Sequence, residues 1–116
     1  MKRYLAIYIG TGGGFEKWQK LDEETRNKLQ ATGIKAWTDW MAANSVAVVD
    51  QGGPLGKTKR TSPDGVADTR NNMTGYVIIQ AKSHEAAARL FEKHPHFTIF
   101  PGDSVEIMEC LPIPGQ

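Results

Sequence analysis

The chain has 116 residues, enough for one domain with a hydrophobic core but not for two, and its 14 basic against 13 acidic residues leave a net charge of +1. Hydrophobic residues make up 40% and charged residues 23%, which excludes a disordered tail and a polyphosphate binder. Nucleic acid is not an expected partner either, because the one basic cluster, Lys57, Lys59 and Arg60, is short, lacks interleaved aromatics and lies in turn-like sequence.

Met1-Lys-Arg leads straight into an apolar strand rather than a signal-peptide core, and no apolar run approaches a membrane span. The expectation is a cytoplasmic protein that meets no membrane. A single cysteine, Cys110, excludes an internal disulfide and a multi-cysteine metal site. It reads as a small apolar side chain near the end of the last strand.

In chain order, Tyr4 to Ile9 is apolar at nearly every position, the pattern of a strand covered on both faces. Gly10-Thr-Gly-Gly-Gly14 follows, without the Gly-Lys-Ser/Thr ending of a P-loop or the G-x-G-x-x-G spacing of a dinucleotide turn, and reads as a plain loop. From Leu21 to about Asn44, the residues Leu21, Thr25, Leu29, Gly33, Ala36, Trp37, Trp40 and Asn44 step by threes and fours along one face of a long helix with an acidic start at Asp22 to Glu24. Gly33 inside that helix costs about 1 kcal/mol relative to Ala, so it marks either a break between two helices or a close backbone approach; a single helix is expected, with the approach to the sheet.

Val46 to Asp50 reads as a strand closed by the turn residues Gln51-Gly-Gly-Pro54. Leu55 to Thr61 and Val66 to Thr69 flank Pro63-Asp-Gly65 as a protruding two-stranded arm. Tyr76 to Ala81 is β-branched and aromatic without polar alternation, a mid-sheet strand expected to lie beside the first. Ser83 caps a helix carrying Ala86, Ala87, Leu90 and Phe91, which should stop at His94-Pro95. Val105 to Cys110 is the last strand, and Leu111-Pro-Ile-Pro114 cannot continue pairing.

Residues 1–116 therefore form a single α+β domain, a ferredoxin-like split β-α-β with a hairpin insertion. Two helices cover only one face of such a sheet. Central strands that are apolar on both faces then call for a second copy over the other face, and a homodimer is expected.

Gln51-Gly-Gly-Pro-Leu55, Asp64-Gly65, Thr74-Gly-Tyr-Val-Ile-Ile79, Ser83-x-Glu-Ala-Ala87 and Ser104-Val-Glu-Ile107, in this order and spacing, resemble the YCII-related proteins, and in particular their longer branch with a hairpin insertion and a DGPF-like motif. The resemblance covers nearly the whole chain and implies a dimeric α/β barrel. Family members regarded as enzymes are implied to use a His-Asp pair with the histidine close to the first helix. Here no histidine precedes His84, and the DGPF-like segment reads Val66-Ala-Asp-Thr-Arg-Asn71.

Four groups of residues are candidates for chemistry. His94 and His96 straddle Pro95, and histidine changes charge near neutral pH, so either can serve as an acid or base, with Asp103 nearby in sequence, or Asp50 at the end of a strand, as the carboxylate. Two histidines fall short of the three or four ligands of a stable metal site, so no metal and no cofactor are expected, and a helix-ending loop with partly exposed imidazoles is the plain alternative. Trp37 and Trp40 share one helical face and either pack the core or rim a pocket, while Tyr8, Tyr76 and Gln51 are placed to line one between sheet and long helix. Tyr4 belongs with the other two tyrosines on the central strands.

The functional expectation is a cofactor-independent enzyme acting on a small cyclic or aromatic metabolite. The alternative is a non-catalytic small-molecule-binding or assembly protein of the same fold, which the missing early histidine favours. Substrate and pathway are not readable from the residues.

Overall fold

The computed structural model describes residues 1–115. The elements run β1 (Lys2–Gly10), α1 (Gly12–Gln19), α2 (Glu23–Ala43), β2 (Val48–Pro54), β3 (Thr58–Ser62), β4 (Gly65–Thr69), β5 (Met73–Ala81), α3 (His84–Arg89), α4 (Pro95–Thr98) and β6 (Gly102–Glu109). The main sheet is antiparallel in the order β2-β5-β1-β6, an α+β arrangement compatible with the ferredoxin-like fold. As the apolar patterns required, β1 and β5 are its two central strands, paired with Tyr4 opposite Ile79 and Ala6 opposite Val77.

Alternation along the strands divides the sheet into two faces. Tyr4, Ala6, Tyr8, Val77, Ile79 and Ala81 are buried on one, under Ala87 and Phe91 and beside Trp37, Trp40 and Met41. Full burial of each large apolar side chain here is worth about 1.5–3 kcal/mol, so this face carries the fold. Leu5, Ile7, Ile9, Ile78 and Met108 belong to the other face, and no helix covers it: the molecule is 19 Å across its thinnest axis, a sheet and one layer of helix. β3 and β4 form a separate two-stranded sheet in register from Thr58–Thr69 to Ser62–Gly65, the arm expected from Pro63-Asp-Gly65.

Four details depart from the sequence reading. The glycine-rich turn is not a plain loop: Thr11 caps α1, its hydroxyl accepting from Gly14 N at 3.3 Å. Phe15 and Trp18, three residues apart, are the only helical signal in a stretch whose glycines weigh against a helix. Gly14 is there for packing, since a Cβ would meet the Pro101 carbonyl oxygen at 2.5 Å. Next, α3 ends at Arg89 rather than at Pro95; the chain turns back through Lys93, at φ 58, and Pro95 opens α4. The second strand starts at Val48 and runs on through the glycines to Pro54, because bulges and the positive φ of Gly52 carry its pairing with β5 past Asp50. Lastly, Cys110 lies just beyond β6 and is exposed.

Gly33 is buried inside the single helix α2, with a close approach as expected, but to a different neighbour. A Cβ there would lie 2.5 Å from the Phe100 ring and 3.1 Å from Ile99, so it is the segment before β6, not the sheet, that presses on the helix.

Candidate functional site

β1 presents Tyr8 to the helical layer, α2 presents Trp37 and Trp40 one turn apart, and the turn after α3 contributes Phe91. Into this aromatic box the turn at Lys93 delivers His94, which is 0% exposed. Its ring centroid lies 4.6 Å from Trp37 and 4.8 Å from Trp40, both steeply inclined to it, and 5.2 Å from Tyr8. His94 Nδ1 accepts the backbone N–H of His96 at 3.0 Å and so caps α4. Its neutral ring therefore carries the proton on Nε2, which has no partner, and neither has the buried Tyr8 hydroxyl. Burial, and then the neighbouring His96, push the His94 imidazole from its ordinary 6.5 to about 4, while burial raises the Tyr8 phenol well above its usual value.

His96 is 6% exposed and differently held. Its Nε2 lies 2.8 Å from the Ile9 carbonyl oxygen, which fixes the neutral ring as the Nε2–H donor and leaves the lone pair on Nδ1. The ring rests on Gly102, where a Cβ would come within 2.3 Å of it; only a glycine fits at that point of β6. Burial lowers its proton affinity, and backbone hydrogen bonding at Ile9 and Ser104, with the Asp103 carboxylate, opposes that effect without reversing it. The sequence reading of partly exposed imidazoles is thus corrected for both residues: the helix does not run out into a loop at His94 but is replaced by a second one, whose first turn tucks under α2.

Beside His96 a cavity of about 430 Å³ opens between α2 and the β2–β5 edge, bordered by Tyr8, Trp37, Gln51, Tyr76 and Phe100. Of the residues singled out from sequence, Tyr8, Trp37, Gln51, Tyr76 and His96 meet at it, while Tyr4 is buried in the core and stacks on His84. His94 and Trp40 do not border it: they stand behind Trp37, the Trp40 indole N–H donating to the Leu90 carbonyl at 3.0 Å. Asp50 stands apart from the histidines. It is exposed, and its carboxylate accepts the Gly52 N–H at 2.9 Å, a turn-forming contact. Among the described residues no carboxylate borders the cavity, so they assemble no His-Asp pair there. Nor do the two histidines converge on an ion, since the lone pair of His94 is already taken by His96 N–H.

Ile34, Thr38, Thr74 and Phe100 also line the cavity and were not anticipated. The first two were legible on the same helix, Ile34 standing three residues before Trp37 and Thr38 four after Ile34. Phe100 was not, because it arrives from a loop and is placed by its contact with Gly33.

No family model matches the chain, and no curated protein matches it in sequence. Among solved structures it is similar to the 5-chloro-2-hydroxyhydroquinone dehydrochlorinase of Burkholderia phenoliruptrix AC1100 in complex with 2,5-dihydroxybenzoquinone, with a TM-score of 0.55 and 13% identity over 91% of this chain and 90% of that one. At that identity the likeness shows the fold alone, an α+β arrangement with an antiparallel sheet.

Proposed function

We propose that this chain is a YCII-related, cofactor-independent enzyme that accepts a small aromatic or cyclic compound in the cavity under α2 and uses His96 to move a proton. The observation that carries the reading is the state of His96. Buried, neutral, and tied through Nε2–H to Ile9, His96 borders a largely apolar, aromatic-lined chamber of about 430 Å³ with Nδ1 as the ring's acceptor nitrogen. Trp37, Tyr8 and Phe100 supply ring surface for stacking, and Gln51 supplies a polar handle at the rim. The dehydrochlorinase of like fold is described with a quinone bound, which is the same class of planar ring. In this reading a second copy covers the sheet face that bears Leu5, Ile7, Ile9, Ile78 and Met108, making the dimeric α/β barrel.

A second reading, a binding protein without catalysis, is favoured by the absence of any carboxylate around the cavity. A panel of quinones, hydroxylated benzenes and lactones, followed by tryptophan fluorescence and by turnover, separates the two. The enzyme reading expects saturable binding and a conversion lost in His96→Gln. Saturable binding with no conversion of any ring would leave the binding-only protein, and no binding would overturn both.

A further inference from the structure

His96, Thr74 and Phe100 line not one cavity but two. Across them from the apolar chamber lies a second space of about 450 Å³, walled by Thr11, Arg70, Asn71 and Asn72 and floored by the backbone at Gly10 and Gly102. Phe100 is pinned between Gly33, Trp18 at 5.9 Å and Trp37 at 6.0 Å, and the Thr74 hydroxyl donates to Tyr8 O at 2.9 Å.

The two spaces differ in chemistry. Among the described residues the first has no charged residue at its wall, whereas the second has one, Arg70, and no carboxylate. Among the described residues no ion pair involves Arg70, and the nearest acid along the strand, Asp68, is taken by Lys59 at 2.6 Å. The Asn71 side-chain Oδ1 accepts Met73 N–H at 2.9 Å, which leaves the side-chain Nδ2 as its donor group. Asp103, next to Gly102, does not line the space, and its carboxylate accepts the Ser104 hydroxyl at 2.9 Å. A guanidinium and an amide donor facing a space with no acid of its own form a complement to a carboxylate.

Resting on the functional reading above, we infer that the substrate is a ring carrying a carboxylate: the ring lies in the chamber under α2, and the carboxylate reaches past His96 to Arg70, Asn71 and Asn72. His96 would then stand at the junction of ring and substituent. That is where a base acts on a proton acidified by an adjacent carbonyl or ring.

Benzoate and benzamide test this, since they share a ring and differ in charge. Each is titrated by heteronuclear NMR into the wild-type protein, Arg70→Gln and Asn72→Asp. Arg70 and Asn72 are exposed, so both variants should fold, and unchanged spectra outside the site confirm that they do. The expected result is benzoate binding about tenfold tighter than benzamide, with the difference abolished in Arg70→Gln and reversed in Asn72→Asp while benzamide is unaffected. Equal affinity for the two rings, or a benzoate preference that survives Arg70→Gln, overturns the carboxylate subsite and leaves the ring chamber standing. Failure of both to bind overturns the ring chamber, and the subsite with it.

Discussion

His94 and His96 are two residues apart, yet they occupy opposite kinds of environment. The box around His94 is closed by Tyr8, Trp37, Trp40 and Phe91, leaves one ring nitrogen without a partner, and holds the imidazole neutral down to about pH 4. The site around His96 is bordered by open space on two sides, and its ring is oriented by a backbone carbonyl. The difference teaches that burial alone does not mark a reactive histidine: what matters is whether a lone pair faces a space that a ligand can enter. In His94 that lone pair is spent on capping α4, within a closed box, whereas the His96 ring borders both cavities.

The largest effects should split along this line. His96→Gln is expected to reduce turnover about 10²–10⁴-fold, the usual contribution of a positioned acid or base, with a smaller loss of stability. His94→Ala should do the opposite, removing a fully buried ring and the α4 cap at a cost of about 2–4 kcal/mol in a urea melt. Both variants losing turnover equally, at unchanged stability, would erase the distinction.

A pH series sharpens it. Because the folded-state pKa of His94 lies below the unfolded value of 6.5, the unfolded chain binds the extra proton first, and stability must fall as pH drops from about 6.5 to about 4. Each unit of separation is about 1.4 kcal/mol, so the loss amounts to roughly 3 kcal/mol, and His96, shifted in the same direction, adds to it. Denaturant midpoints that do not change over this window would mean that the His94 box is wet.

The sequence disclosed the two central strands, the long helix, the arm and the capping serine, because each rests on a local pattern: β-branched runs, three-four spacing, Pro-Asp-Gly and a Ser before an acidic turn. It disclosed most of the cavity wall for the same reason, since Trp37 and Tyr8 lie on faces that periodicity defines. The division of labour between His94 and His96 was not legible. It depends on a turn at Lys93 in the left-handed region, on Gly102 opening room beneath one ring and on α2 closing over the other, contacts between residues distant in the chain. Helix α1 was hidden by the low propensity of its glycines, two of which are exposed and face open space.

Gly33 tests the partition between the two chambers at a smaller scale. Gly33→Val should cost about 2–3 kcal/mol by driving Phe100 from its seat, and Gly33→Ala about 1 kcal/mol or less, because the ring tip can yield to a single methyl and the helix gains propensity. Equal, small losses in urea melts would show that Phe100 is not held there. Smallest of all, Trp37→Phe should weaken ring binding only threefold to tenfold, roughly 1 kcal/mol, with turnover at saturation nearly unchanged, since stacking is shared by ground and transition states. A fall in saturated turnover with binding intact would instead place Trp37 in the chemical step.

The most direct test of the account is a pH titration of the imidazole signals by NMR, resolved to His94 and His96 and read for tautomer. The account predicts that both rings are neutral and protonated on Nε2 at pH 7, and that His94 gains its second proton only near pH 4. A His94 midpoint at the ordinary 6.5, or a proton on its Nδ1, would contradict the closed box and with it the assignment of His96 as the histidine that meets the ligand.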